Sequence, residues 1–94
     1  MRAIVFSAQY KRDLKLARKR NLPEDELNQV IFNLASDIPL SPDKKDHPLK
    51  GQLAKYRECH IQPDWLLIYN KATVGELRIL NLVRTGTHSD LYKK

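Results

Sequence analysis

Apolar residues recur along this chain in two rhythms, and the change from one to the other divides it. Arg2 to Phe6 is rich in Ile, Val and Phe and reads as a short strand. Ser7 follows as a good helix N-cap, and Tyr10, Leu14 and Ala17 then recur at helical spacing. Asn21-Leu22-Pro23 interrupts this first helix. Pro23 with Glu24, Asp25 and Glu26 marks a new helix start, where carboxylates meet the positive end of the dipole. Leu27, Val30, Ile31 and Leu34 lie at i, i+3, i+4 and i+7, with Ile38 one turn beyond, so the second helix lays one apolar stripe on a core until Pro39 and Pro42 end it.

Ser41 to Gly51 has neither rhythm and reads as a loop, which carries His47. Beyond it the period becomes two. Ala54 to Ile61 reads as a strand with Tyr56, Glu58 and His60 on one face and Arg57, Cys59 and Ile61 on the other. Gln62-Pro63-Asp64 turns the chain, and Trp65 to Tyr69 is apolar on both faces, as a central strand would be. Lys71 to Gly75 reads as the next turn and Glu76 to Thr85 as the last strand. The pattern predicts an α+β fold, a single domain over residues 1–94, with two N-terminal helices packed on one face of a small antiparallel sheet of about four strands.

Composition narrows the class. Ninety-four residues, 41% hydrophobic and 30% charged, suit one globular domain. No apolar run reaches membrane-spanning length, and the N-terminus turns polar too soon for a signal peptide. The single cysteine, Cys59, cannot staple the fold and fits a reducing compartment, so a cytoplasmic protein is expected. Charge adds a partner class: Lys and Arg exceed Asp and Glu by 17 to 11, a net +6, which favours nucleic acid or an acidic protein. Much of that charge lies on the first helix, where Lys11, Lys15 and Arg18 are candidate substrate contacts; an ordinary solvated face is the plainer alternative.

The candidate chemistry lies in the second half, which holds all three histidines. The last strand delivers Arg84, then the turn Thr85-Gly86-Thr87, then His88. A guanidinium keeps its charge and can fork onto a phosphate, while an imidazole gives or takes a proton near neutral pH. His47, His60 and Asp64 supply further polar groups. Each has a plain structural reading: His60 as a satisfied sheet residue, Asp64 as a turn former, Trp65 as core, Arg84 as a strand-end charge. A metal site from His47, His60, His88 and Asp64 lacks the tight histidine pair that would support it, and no metal or cofactor is expected.

Asp46-His47-Pro48-Leu49-Lys50-Gly51, then Tyr56 to Tyr69, then Arg84-Thr85-Gly86-Thr87-His88-Ser89-Asp90-Leu91-Tyr92 resemble the signature of the YafQ branch of the RelE-type toxins, and the likeness spans nearly the whole chain. The resemblance implies a ribosome-dependent mRNA endonuclease of a bacterial toxin–antitoxin pair. Its site would comprise His47, His60, Asp64, Trp65, Arg84 and His88, with mRNA and the ribosome as targets. It also implies an acidic antitoxin as partner and operator DNA reached only through that antitoxin. Tyr92 stands where a phenylalanine is expected; its ring still offers a stacking surface for a base. Residue chemistry agrees, since the RNA's own 2′-hydroxyl can attack the adjacent phosphate without metal, given a base, an acid and a cation. His88 is the candidate acid, His47 and His60 the candidates for base or orientation, Asp64 a partner for a histidine, and Arg84 the phosphate clamp. The alternatives are a toxin of the same fold that blocks a target such as gyrase without cutting RNA, and a non-catalytic basic RNA-binding domain.

Overall fold

A computed structural model describes residues 1–92. The Ser7 hydroxyl accepts from the Tyr10 N–H at 2.9 Å and donates to the Val83 carbonyl at 2.7 Å. One side chain thus caps helix α1 (Ala8–Lys19) and fastens its start to the sheet. Asn21, in the left-handed region, closes α1, with the Leu22 N–H on the Ala17 carbonyl. Helix α2 (Glu24–Ala35) begins at Pro23 with its three carboxylates in the first turn and closes the same way at Asp37.

The strands are β1 (Ala3–Phe6), β2 (His47–Pro48), β3 (Arg57–Gln62), β4 (Trp65–Val74) and β5 (Leu77–Gly86), followed by one turn of helix, α3 (His88–Leu91). They form one sheet in the order β1-β5-β4-β3-β2. β3, β4 and β5 make the expected antiparallel meander. Two features depart from expectation. The sheet has five strands rather than four, because His47 and Pro48 pair with Glu58 and Arg57 instead of lying in a loop; a proline is tolerated there because this is an edge. The sheet is also mixed, since β1 runs parallel to β5. A parallel pair needs a long crossover, and the two helices belong to the one that separates these strands.

Strand limits shift as well. β4 runs on through Lys71 to Val74, and the turn tightens to Gly75-Glu76, where Gly75 takes a positive φ at the first loop position. β3 starts later than expected because the 3-10 turn Gly51–Leu53 runs on into a second turn, closed by the Tyr56 N–H on the Leu53 carbonyl at 2.9 Å.

Both helices cover one face. Tyr10 and Ala17 of α1 and Leu27, Val30, Ile31, Leu34 and Ala35 of α2 pack on Cys59, Ile61, Trp65, Leu67, Tyr69, Leu80 and Leu82. Strand alternation sends Glu58, His60, Leu66 and Ile68 to the other face. No helix among the described residues is long and apolar enough to cross a membrane.

Candidate active site

β3 places Glu58 and His60 two residues apart on the face away from the helices, and β2 brings His47 beside Glu58. The His47 Nδ1 contacts the Lys45 carbonyl at 2.6 Å, which leaves Nε2 turned to the Glu58 carboxylate at 3.6 Å. Glu58 is a buried carboxylate, and its second oxygen accepts from the Tyr92 hydroxyl. The phenol is pushed above its ordinary range by burial first and by Glu58 second.

The tight turn after β3 presents Asp64, which meets the start of α3. Its Oδ1 accepts from the His88 backbone N–H at 3.0 Å and lies 2.6 Å from His88 Nδ1. Those two donors, the backbone N–H first, hold the Asp64 carboxyl below its ordinary value, so it is ionised at neutral pH and can only accept. Nδ1 therefore carries the proton, and Nε2 is left for a reacting atom. The His60 and His88 rings stand edge to face with centroids 5.8 Å apart. The exposed Asp64 and His88 and the half-buried His60 thus form one constellation. Glu58 joins it to His47 and to Tyr92.

Arg84 is held on another side, at the end of β5 against α1. β1 ends at Phe6, so the edge of β5 beyond Leu82 has no neighbouring strand. Asp13 of α1 fills that role: its carboxylate accepts from the Thr85 N–H at 3.2 Å and from Arg84 Nε and Nη2 at 3.1 and 3.0 Å. Asp13 raises the Arg84 pKa further, and a guanidinium with five N–H donors keeps some free after these two bonds. A groove of about 690 Å³ opens here between α1, the end of β5 and α3, bordered by Arg12, Arg20, Arg84, Asp90 and Tyr92.

Trp65, Lys11, Lys15 and Arg18, also expected to meet substrate, lie elsewhere. Trp65 is 1% exposed on the helix-covered face, where its Nε1–H donates to the Thr85 hydroxyl at 2.9 Å; it packs in the core. The ring faces inward because Trp65 alternates in phase with Leu67 and Tyr69. Lys11, Lys15 and Arg18 sit on α1, in the layer behind the sheet, and Arg18 is held by both oxygens of Glu24. Tyr92 is half-exposed, but its hydroxyl is committed to Glu58.

Two residues escaped the sequence reading. Asp13 is an acid in a basic helix, three residues after Tyr10 and so in phase with the apolar stripe; that misplaced polarity was its signal. Glu58 alternates in phase with His60, but alternation alone does not show which strand face is chemical. Among the described residues, no three His, Cys, Asp or Glu side chains converge as a metal set would.

This arrangement meets close relatives. The profile of the family described as a bacterial toxin of type II toxin–antitoxin systems, YafQ, matches residues 2–93. The mRNA interferase toxin YafQ of Escherichia coli (strain K12) is 40% identical over 92 residues, covering 97% of this chain and 96% of its own. Among solved structures, the E. coli DinJ–YafQ toxin–antitoxin complex superposes with a TM-score of 0.83 at 41% identity, over 97% of each chain. A metal-bound toxin from Helicobacter pylori superposes at 0.86 with 44% identity, over 97% of this chain and 99% of that one.

Proposed function

The chain belongs to the YafQ family of bacterial type II toxins, and on that premise we propose that it is an mRNA interferase, an endoribonuclease that cuts mRNA on the ribosome. The observation that carries the reading is the Asp64–His88 pair beside His60. A protein that only blocks a target, gyrase or RNA, has no use for an imidazole whose tautomer is fixed by a carboxylate.

The reaction needs no metal. The 2′-hydroxyl attacks the adjacent phosphorus while a base takes its proton. The P–O5′ bond breaks, and an acid protonates the leaving 5′-oxygen, giving a 2′,3′-cyclic phosphate and a 5′-hydroxyl. His88 is the acid. Asp64 holds its Nδ1 proton and stabilises the imidazolium before transfer, and Nε2 delivers the proton. His60 takes the 2′-hydroxyl proton; its ring centroid lies 5.8 Å from that of His88, which supports action on the same phosphodiester. His47, held by the Lys45 carbonyl and facing Glu58, orients the substrate. The donors of Arg84 that Asp13 leaves free meet the developing phosphorane charge. Tyr92 supplies a ring edge for a base.

An acidic antitoxin that wraps the helices and the sheet edge is the expected regulator. The net charge of +6 supports it, and so does the DinJ–YafQ assembly of a relative. Inducing the chain in translating cells and mapping mRNA ends tests the function. New ends in phase with codons, lost in His88→Ala, are expected. Growth arrest without new ends would overturn the reading in favour of a blocking toxin.

A further inference from the structure

Helix α3 is a single turn, too short to hold its own shape, yet it carries His88. Its position is set from outside. Asp64 grips its first residue, but the Asp64 side chain is itself 66% exposed and lies in a turn, so it offers little rigidity. Two further anchors hold α3: the Tyr92 hydroxyl on the buried Glu58, and Asp90 on Arg20, whose side chain is 40% exposed but stands at the end of a helix of twelve residues.

The second anchor crosses the molecule. Arg20 caps the C-terminus of α1, with its own N–H on the Leu16 carbonyl at 3.1 Å, and α1 is fixed to the core through Tyr10 and Ala17. Its guanidinium meets Asp90 Oδ2 at 2.6 Å and Oδ1 at 3.3 Å. The same Oδ2 accepts from the Thr87 N–H at 3.0 Å, and the Thr87 hydroxyl accepts in return from Asp90 N–H, closing a capping box around His88. Behind Asp90 the chain leaves no slack. A Cβ on Gly86 would stand 2.9 Å from Asp90 Cβ and 3.0 Å from its Oδ2. The carboxylate is therefore seated between a cation of α1 and a bare backbone of β5.

We propose that Arg20 is a positioning residue for His88, acting through Asp90: the pair transmits the rigidity of the helix-covered core to the one-turn helix that holds the catalytic imidazole. This rests on the proposed role of His88. It assigns Arg20 a task other than RNA contact, although Arg20 borders the same groove as Arg84.

The test measures single-turnover cleavage on translating ribosomes, as separate kcat and KM, for Arg20→Ala, Asp90→Asn, their double variant, Arg20→Lys and Gly86→Ala. The imidazole nitrogen signals of His88 are followed by NMR in each. Misplacing a catalytic group by about an ångström costs up to about 100-fold in rate, so Arg20→Ala and Asp90→Asn should each lower kcat by about 10- to 100-fold with KM and melting temperature nearly unchanged. The double variant should be no worse than either single one, because both break the same contact. Arg20→Lys should recover most of the rate, and Gly86→Ala should imitate the loss without touching a charge. In the variants that lose rate, the His88 Nδ1 signal should lose the signature of its bond to Asp64. A raised KM at unchanged kcat in Arg20→Ala, with Asp90→Asn harmless, would make Arg20 an RNA contact and overturn the proposal. So would a His88 signal in Arg20→Ala identical to that of the parent. If the parent does not cut RNA but the His88 signal still changes in Arg20→Ala, the positioning stands and the proposed activity falls.

Discussion

On one face of the sheet Cys59, Ile61, Trp65, Leu67 and Tyr69 are almost fully buried beneath two helices, while on the other face of the same strands Glu58 and His60 stand among polar groups with His88 and Asp64 open to solvent. Period-two alternation builds both surfaces from one set of residues. They are held differently. The covered face is held by packing and by a short polar chain in which Trp65 donates to Thr85 and Thr85 to the Leu66 carbonyl. The other face buries Leu66 and Ile68, but its functional side chains are positioned by polar contacts to the carboxylates of Asp64, Asp90 and Glu58. On the proposed function this surface admits RNA and so cannot be sealed by packing, and exposed ion pairs each contribute only a little stability. Substitutions on the two faces should therefore separate activity from stability.

The largest separation is expected for His88→Ala. Proton-transfer catalysis is worth about 10²- to 10⁴-fold, so single-turnover cleavage should fall by that much while the melting temperature stays close to the parent's. Cleavage within a few-fold of the parent would move the acid to His60 or His47. Trp65→Ala should do the reverse, costing about 3–5 kcal/mol in denaturant unfolding while the folded fraction still cuts at the parent positions. New cutting positions would mean that Trp65 reaches substrate after all.

Asp13 joins the two regions, so Asp13→Ala should harm both. Leaving the Thr85 N–H without its partner costs about 1–3 kcal/mol, and freeing Arg84 should also slow cleavage. A variant that lost stability and kept the full rate would show that Arg84 works independently of Asp13.

Acid and alkali should open the molecule from opposite sides. Asp90 is held well below its ordinary value by Arg20 first and the Thr87 N–H second, and Asp64 by the two donors of His88. A depressed carboxylate stabilises the fold above its ordinary value, and that contribution is lost as pH falls through the folded value. Amide exchange in α3 should thus rise first below about pH 4. Burial pushes Tyr10 up from 10.0 and Cys59 up from 9.0, each to about 12. Raised acids stabilise below their ordinary values and lose that contribution as pH climbs, so the helix-covered face should loosen between about pH 9 and 12. Uniform loosening at both extremes would erase the distinction.

The smallest effect is expected at Lys11→Glu and Lys15→Glu, exposed on the outer helix. Stability should move by no more than about 0.5 kcal/mol. If the helix faces the ribosome, binding should weaken in a salt-dependent way with the cleavage pattern intact.

Local rules determined much of this protein. Ser7 as a cap, the acidic start of α2, the stripe from Leu27 to Leu34 and the meander from β3 to β5 rest on neighbours a few residues apart, and the sequence displays them directly. The grouping of Asp64, His60 and His88 was legible too, from residue chemistry and family likeness together, because those residues close the ends of elements the sequence had already marked. Tertiary structure alone decided the parallel seating of β1 on β5, the small strand at His47, the inward turn of Trp65 and the long-range bonds from Asp13 to Arg84 and from Arg20 to Asp90. Periodicity tells that a strand has two faces without telling which one the helices cover, and partners some seventy residues apart share no local pattern. They meet only because burying the helix stripes on one face of the sheet brings α1 against the end of β5.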